Sequence, residues 1–389
     1  MSTSLLETIV GESIGNSLVT RPRNHDFLGR NIKRRDRWVK RPAYGAVIGL
    51  TYLAAALNSG CNFGPYPRIR RASLPSATIG TNFLDPNNLG SHGYRFKWSE
   101  QNGMVYTCRG GQIDVTHLRN AADWTYYLST KIYEELMKNG SGFSFKSLEP
   151  SLYFMEFTYP ENWSYLSQSE KEQIAREVSI TVGQYSAYVT TTWHEILTWF
   201  DYKSLWVIPE FPSAFSWEDS FSNLLGTYIA VQALQDSEHT FDEAMTLALD
   251  SELKKLGVQS SRTARRAVES VNGSWYSVEF LLFANIKKRN FDIGLEGFIT
   301  PWTIPIPECE GVEALSYLVP HLDSLSWYGF SVKLEIEPRE WEKDKILRVV
   351  YPDKKGRKKR IEPAIHFAPI MEHIRKDAVE RYGPDVDTP

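Results

Sequence analysis

The chain has 389 residues, of which 42% are hydrophobic and 13% aromatic, so it can bury a large core in one big domain or two smaller ones. Its formal net charge of −3 gives no general attraction for nucleic acid, and we expect no nucleic-acid partner. Only three cysteines occur, Cys61, Cys108 and Cys309, which excludes a disulfide scaffold and a four-cysteine zinc module.

The first 61 residues have the pattern of an export signal. Segment 30–42 is densely basic, and segment 43–57 contains no charged residue. A basic region, an apolar run of about 7–15 residues and small residues before a cut are typical of a secretory signal, whereas a membrane span needs about 20 residues. Cys61 lies where a bacterial lipoprotein carries its lipidated cysteine, although Leu57 is one residue further away than in the usual motif.

We therefore predict a leader over 1–61, lipidation of Cys61 and a protein exported to the bacterial cell envelope. The membrane would be its partner, through the lipid or through an uncleaved N-terminal anchor. Cys108 and Cys309 would then remain, and they could form one disulfide in an oxidising compartment.

Residues 62–325 are predicted as the main domain. In chain order, the patterns predict a strand over 103–108, a helix over about 114–138, a strand over 151–159, helices over about 170–200 and 216–234, further helices from about 240 and 261, and a mixture of helix and strand from about 274.

The helix over about 170–200 is the best-defined element. Ser169 and Glu172 form a capping-box pattern at its start. Apolar residues recur every three or four positions from Ile174 to Phe200, and small residues occupy another face. We predict a central helix that is buried nearly all round.

Residues 326–389 are predicted as a small C-terminal α+β subdomain. Segments 330–338 and 345–352 read as the two strands of a β-hairpin, and segment 368–383 as a closing helix. The predicted fold class is therefore α+β, with a helix-rich main domain around the central helix.

The stretch TTWHEILTWF, 191–200, contains an incomplete zinc-protease motif near the end of the central helix. His194 and Glu195 supply the first two residues of H-E-x-x-H, but Thr198 replaces the second histidine. The zinc-protease mechanism is not supported as written, although residues elsewhere could complete a metal site. A buried polar pair needs partners, and structural hydrogen bonds would satisfy it equally well.

Two further segments carry candidate ligands. Asp114 and His117 lie three apart at a helix start and so share a face, where they could bind one metal or pair with each other. The alternative is that Asp114 only caps the helix. Asp219 forms a capping pattern with Ser216, which leaves Glu218 as the freer carboxylate of that segment.

Cys108 is a candidate nucleophile. It follows a predicted strand and precedes a Gly-Gly turn near a helix start, where a histidine could act as its base. A buried or disulfide-bonded cysteine is the alternative.

Three segments, 106–128, 193–204 and 211–226, together resemble a family of uncharacterised bacterial envelope proteins classified only as a domain of unknown function. The resemblance covers roughly 65–320 and implies no catalytic residue. It implies one recurring pattern of polar residues: Asp114, His117, Arg119, His194, Glu195, Ser216, Glu218, Asp219 and Asn223.

Three functions stay open. The first is a metal-dependent hydrolase of the cell envelope, in which Glu195 is the base and zinc suits the nitrogen and oxygen ligands best. Its ligands would be His117, His194 and either Asp114 or Glu218. The second is a papain-like hydrolase or acyltransferase using Cys108 and a histidine. The third is a non-catalytic envelope lipoprotein. The metal hypothesis requires the three polar segments to converge.

Overall fold

The computed structural model describes residues 66–68, 70, 80–95, 97–147, 149–204, 208–278, 284–353 and 358–389. The predicted leader over 1–61 and its Cys61 lie outside these residues. Within the described part of the chain, no helix is long and apolar enough to cross a bilayer.

The predicted α+β class with a helix-rich body is confirmed. The described α-helices are α1 Val115–Met137, α2 Gln168–Trp199, α3 Asp219–Gln235, α4 Phe241–Lys255, α5 Ser261–Ser270, α6 Lys343–Val350 and α7 Pro363–Tyr382. The strands are short and pair antiparallel: β1 Met104–Thr107, β2 Gly111–Asp114, β3 Gly142–Lys146, β4 Leu152–Thr158, β5 Lys203–Ser204, β6 Ile208–Pro209, β7 Tyr276–Val278, β8 Ala284–Ile286, β9 Phe298–Ile299, β10 Tyr317–Leu318 and β11 Ser331–Glu337.

Helix α2 is the predicted central helix, and it packs against both α1 and α3. Its capping box is Ser167 with Glu170, two residues before the predicted pair. Close approach of the helices depends on glycine, because a Cβ at Gly183 would collide with Ser129 of α1 and one at Gly226 of α3 would collide with the backbone of α1. These contacts pack α2 and α3 closely against α1.

The C-terminal segment differs from the predicted hairpin. Strand β11 lies within predicted segment 330–338, but it pairs with β4 in a three-stranded sheet of order β11-β4-β3. The second predicted strand, 345–352, is instead mostly helix α6. Its β-branched residues favour a strand locally, but Ile346 and Leu347 are buried on the core side of a helix and this packing outweighs the local preference.

The β1–β2 hairpin leads directly into the candidate site, because β2 ends at Asp114 and α1 begins at the next residue. Gly111 begins β2 directly after the hairpin turn, at φ +62°, a left-handed conformation that glycine adopts without strain. Cys108 follows β1 and is bonded to Cys309, with their Cα atoms 5.1 Å apart. The disulfide therefore ties this hairpin to a segment 201 residues further along the chain.

Candidate functional site

Three ligand-bearing side chains converge in the fold. His117 comes from the first turn of α1, Glu195 from the last turns of α2 and Asp219 from the first position of α3. One ligand atom from each lies within 4.8 Å of the other two. We call these three residues the ligand cluster. The convergence that the metal hypothesis requires is therefore present, although through Glu195 and Asp219 rather than through His194 and Glu218.

Asp114 holds His117 in place. Its Oδ1 accepts hydrogen bonds from the backbone N–H groups of Thr116, at 2.6 Å, and of His117, at 3.3 Å, so Asp114 caps α1 as the sequence suggested. Its Oδ2 lies 3.1 Å from the Nδ1 of His117. The same carboxylate thus performs both predicted roles, as helix cap and as partner of the imidazole.

Backbone amides hold the two other members of the cluster. Phe215 N–H donates to Glu195 Oε2 at 3.0 Å, and Ser216 N–H donates to Asp219 Oδ2 at 2.8 Å. The other oxygen of Asp219, Oδ1, lies 3.5 Å from His117 Nδ1. Each carboxylate therefore commits one oxygen to the protein backbone, and Asp219 turns its second oxygen toward the imidazole.

The electrostatics of the cluster favour positive charge on the His117 imidazole and disfavour negative charge on Asp219. Glu195 and Asp219 are buried, whereas the His117 side chain is 28% exposed and connects the cluster to solvent. Burial raises the pKa of Asp219 well above its usual value, and the charge of Glu195 raises it further. Burial alone would lower the pKa of His117, but Asp114, Asp219 and Glu195 together raise it well above its usual value.

Glu218, which the sequence favoured as a ligand, is buried at the N-cap position of α3, outside the group of three mutually close ligand atoms. Its negative charge still contributes to raising the pKa of Asp219. The sequence favoured Glu218 because it treated a backbone hydrogen bond to Asp219 and ligation by Asp219 as exclusive. The carboxylate has two oxygens and can do both.

His194 does not join the ligand cluster. Its Nδ1 lies 2.7 Å from Glu149 Oε1, and its Nε2 lies 3.8 Å from Glu210 Oε2. Burial opposes charge on this ring, but the hydrogen bond to Glu149 raises the pKa of His194 to about 10. In this structure His194 therefore lies outside the ligand cluster and pairs with Glu149 and Glu210 instead.

Thr198 and Cys108 also have structural roles. The Thr198 hydroxyl donates to the carbonyl of Glu195 at 2.8 Å, so the residue that interrupts the zinc-protease motif bonds the helix backbone. The Cys108 sulfur is bonded to Cys309 and has no thiolate. The nucleophile hypothesis for Cys108 does not fit this structure, whereas the predicted disulfide is present.

Sequence reasoning missed Glu149, Phe215 and Arg289. Glu149 precedes a predicted strand, Phe215 lies in a loop and Arg289 has no nearby motif. Nothing in their spacing relates them to the cluster, because each contact spans at least 20 residues.

Fold and site together define an α+β protein with a buried cluster of carboxylates and one imidazole. The chain belongs to the family described as "Protein of unknown function (DUF4056)", which matches residues 53–296 and so includes the whole ligand cluster. The predicted membership in a family of unknown function is confirmed. No curated protein and no solved structure matches the chain.

Proposed function

We propose that the protein is a metal-dependent hydrolase whose divalent cation is bound by His117, Glu195 and Asp219. The observation that supports this proposal is the convergence of three ligand atoms from three helices within 4.8 Å of one another. A metal bonded to nitrogen and oxygen at about 2.0–2.2 Å places opposite ligands about 4 Å apart, so small side-chain movements would close the set.

The donor chemistry fits a divalent cation. One imidazole and two carboxylates suit zinc, and the oxygen-rich set also suits Mn²⁺. Three protein ligands leave coordination positions for water and substrate, as in catalytic rather than structural sites. A divalent cation would lower the pKa of a bound water and make it a nucleophile near neutral pH.

The residues of the chain have separate tasks in this proposal. Asp114 orients the imidazole of His117 through Nδ1, as carboxylates commonly do for metal-binding histidines. The amides of Phe215 and Ser216 fix one oxygen of Glu195 and one of Asp219. The partial exposure of His117 gives water and substrate a way in. Glu195, considered from the sequence as the base, is assigned here to the ligand set by its position.

Metal content tests the proposal most directly. Untagged protein, purified and analysed for metals, should contain close to one equivalent, and His117→Ala should contain less than a tenth of that. His239→Ala is the matched control, because His239 pairs with Asp236 at the same three-residue spacing but is exposed and is not a member of the ligand cluster. Equal metal content in wild type and His117→Ala would overturn the proposal.

The variant Glu195→Gln distinguishes two possible roles of Glu195, as a metal ligand and as a general base. Loss of a ligand lowers metal content and hydrolysis together, whereas loss of a base lowers hydrolysis alone. Hydrolysis is measured on ester, phosphoester and peptide probes after loading with zinc or Mn²⁺. We expect both quantities to fall in Glu195→Gln.

A non-catalytic protein is the second candidate function, and one observation favours it. Both carboxylates already have backbone donors, and Asp219 with its raised pKa can hold a proton instead of facing a metal. In that case wild-type protein would bind neither zinc nor Mn²⁺ in a dialysis measurement.

The proposed location is the bacterial cell envelope, with the chain attached to the membrane through Cys61. The Cys108–Cys309 disulfide supports export, because such bonds persist in oxidising compartments and are rare in the cytosol. Mass spectrometry of the mature N-terminus tests it. A diacylglyceryl group on Cys61 that is lost in Cys61→Ser is the expected result, and an unprocessed N-terminus in the soluble fraction would contradict it.

A further inference from the structure

Arg289 is a buried cation that binds a turn of the backbone. It is 2% exposed, and its guanidinium donates to the carbonyls of Ala214 and, at 3.2 Å, of Pro212. The rings of Trp199 and Tyr382 lie 5.6 and 5.3 Å from its guanidinium carbon, and they hold the group by cation–π attraction.

Arg289 and Asn290 each donate to a backbone carbonyl of this turn. The N–H of the same peptide group donates in turn to a carboxylate of the ligand cluster. The Ala214–Phe215 peptide accepts from Arg289 through its carbonyl and donates to Glu195 through its N–H. The next peptide, Phe215–Ser216, accepts from the N–H of Asn290 at 3.1 Å and donates to Asp219. Two successive peptide groups therefore link the Arg289–Asn290 segment to the two carboxylates.

The conformation of Phe215 makes this arrangement possible. Its φ is +54°, in the left-handed region that a bulky residue rarely adopts, although its side chain is fully buried. Successive N–H groups around such a residue can face one side and form an anion-binding concavity. Strained backbone of this kind is often found at functional sites. Here the two N–H groups face Glu195 and Asp219.

We propose that Arg289 and the turn Ala214–Ser216 form a positioning unit that orients Glu195 and Asp219 for the metal. A positive charge at the carbonyl end of a peptide strengthens the hydrogen bond that its N–H makes to a carboxylate. With one oxygen of each carboxylate held in this way, the other oxygen has a defined direction toward the cation. This inference rests on the proposed function, and it assigns Arg289 a role through the turn rather than contact with metal or substrate.

The test compares Arg289→Lys, Arg289→Met and Arg381→Met. Lysine keeps the charge but cannot bind several carbonyls in the fork geometry of a guanidinium. Arg381 is the matched control, because it lies 5.8 Å from the Trp199 ring and 5.0 Å from that of Phe211 yet its side chain pairs with Asp377. Affinity for Co²⁺ and the visible absorption spectrum of bound Co²⁺ are measured, together with thermal unfolding. The spectrum reports ligand geometry, which a loss of stability alone would not change.

Partners of metal ligands are typically worth about 10–100-fold in metal affinity. We expect Arg289→Met to bind Co²⁺ about 10–100-fold more weakly with an altered spectrum, Arg289→Lys to fall between it and wild type, and Arg381→Met to match wild type. If Arg289→Met does not fold, Arg289→Lys alone decides the question. Wild-type affinity and spectrum in folded Arg289→Lys and Arg289→Met would overturn this inference and leave the proposed function standing. A wild-type protein that binds no Co²⁺, zinc or Mn²⁺ would overturn both.

Discussion

Two buried polar clusters share the first half of α1, and they differ in their charge balance. The arginine network contains three arginines and two carboxylates with one histidine: Arg68, Arg70, Arg119, Glu100, Asp123 and His92. The ligand cluster and its neighbours contain four carboxylates and one imidazole: Asp114, Glu195, Glu218, Asp219 and His117. A buried charge needs a partner to offset desolvation. The network contains its own counter-charges, whereas the carboxylates of the ligand cluster outnumber its one imidazole, and we propose that a bound cation offsets the excess.

The same chemical change should therefore have opposite effects in the two clusters. Neutralising a carboxylate of the arginine network leaves arginines without their partner, and neutralising one in the ligand cluster removes a repulsion. The following predictions test this comparison, beginning with the largest expected effect.

Glu100→Gln should lower the free energy of unfolding by about 3–5 kcal/mol at pH 7, because it leaves the buried guanidinium of Arg70 without one of its carboxylates. Burial alone would raise the pKa of Glu100, but Arg70, Arg119 and Arg68 lower it to about 2. Because this value is below the unfolded 4.5, the stabilisation is complete above about pH 4.5 and declines as the pH falls toward 2.

Urea unfolding of wild type and Glu100→Gln at pH 7 and pH 3 measures this difference, which should shrink at the lower pH. Glu372→Gln is the control, since Glu372 is exposed and pairs with Lys376 four residues away. A difference of equal size at both pH values would contradict the assignment.

The double variant Cys108→Ser and Cys309→Ser should lose about 2–5 kcal/mol of stability, because the bond closes a very long loop. The bond also ties down the hairpin that ends at Asp114, so metal affinity should fall with it. Urea unfolding of wild type with and without reductant, beside the double variant, provides the measurement. Identical midpoints for oxidised and reduced wild type would show that the disulfide does not stabilise the fold.

His194→Gln should cost about 1–3 kcal/mol, because the buried carboxylate of Glu149 loses a charged hydrogen-bond donor. Metal content should equal that of the wild type, since His194 lies outside the ligand cluster. Unfolding and metal analysis on the same sample check both statements. A stable variant that has lost its metal would return His194 to the ligand set.

Asp219→Asn should have the smallest effect on stability and a large one on metal content. The metal-free protein should be unchanged or more stable by about 1 kcal/mol, because the amide oxygen still accepts from Ser216 and the repulsion with Glu195 is removed. Metal content should fall to that of His117→Ala. Destabilisation of the metal-free variant by more than about 2 kcal/mol would show that a carboxylate of the ligand cluster stabilises the fold as one of the arginine network does.

Local sequence signals predicted the elements well where the signal was complete. Helix α1 was expected over about 114–138 and runs from Val115 to Met137, because a capping aspartate and helical periodicity mark its start and body. The start of α2 was misplaced by two residues, since Ser167–Glu170 and Ser169–Glu172 both match the capping-box pattern. Only the hydrogen bonds of the folded chain distinguish the two.

The candidate site was predicted in part. Asp114 and His117 were paired correctly, because residues three apart on a helix share a face. The same argument could not predict which of His194 and Glu195 joins the ligand cluster. Neighbouring residues on a helix point about 100° apart, and only the packing of α2 against α1 and α3 determines which side chain meets the cluster.

The sequence by itself determined the helix caps, the periodic apolar faces, the family and the three segments that carry polar residues, because these are properties of near neighbours or of the linear pattern. Only the tertiary structure decided that Glu195 and Asp219 meet His117, that His194 pairs with Glu149, and that Cys108 is bonded to Cys309. The tertiary structure also places Arg289 against the turn Ala214–Ser216. These contacts join residues distant in the chain, and the close packing of three helices selects them.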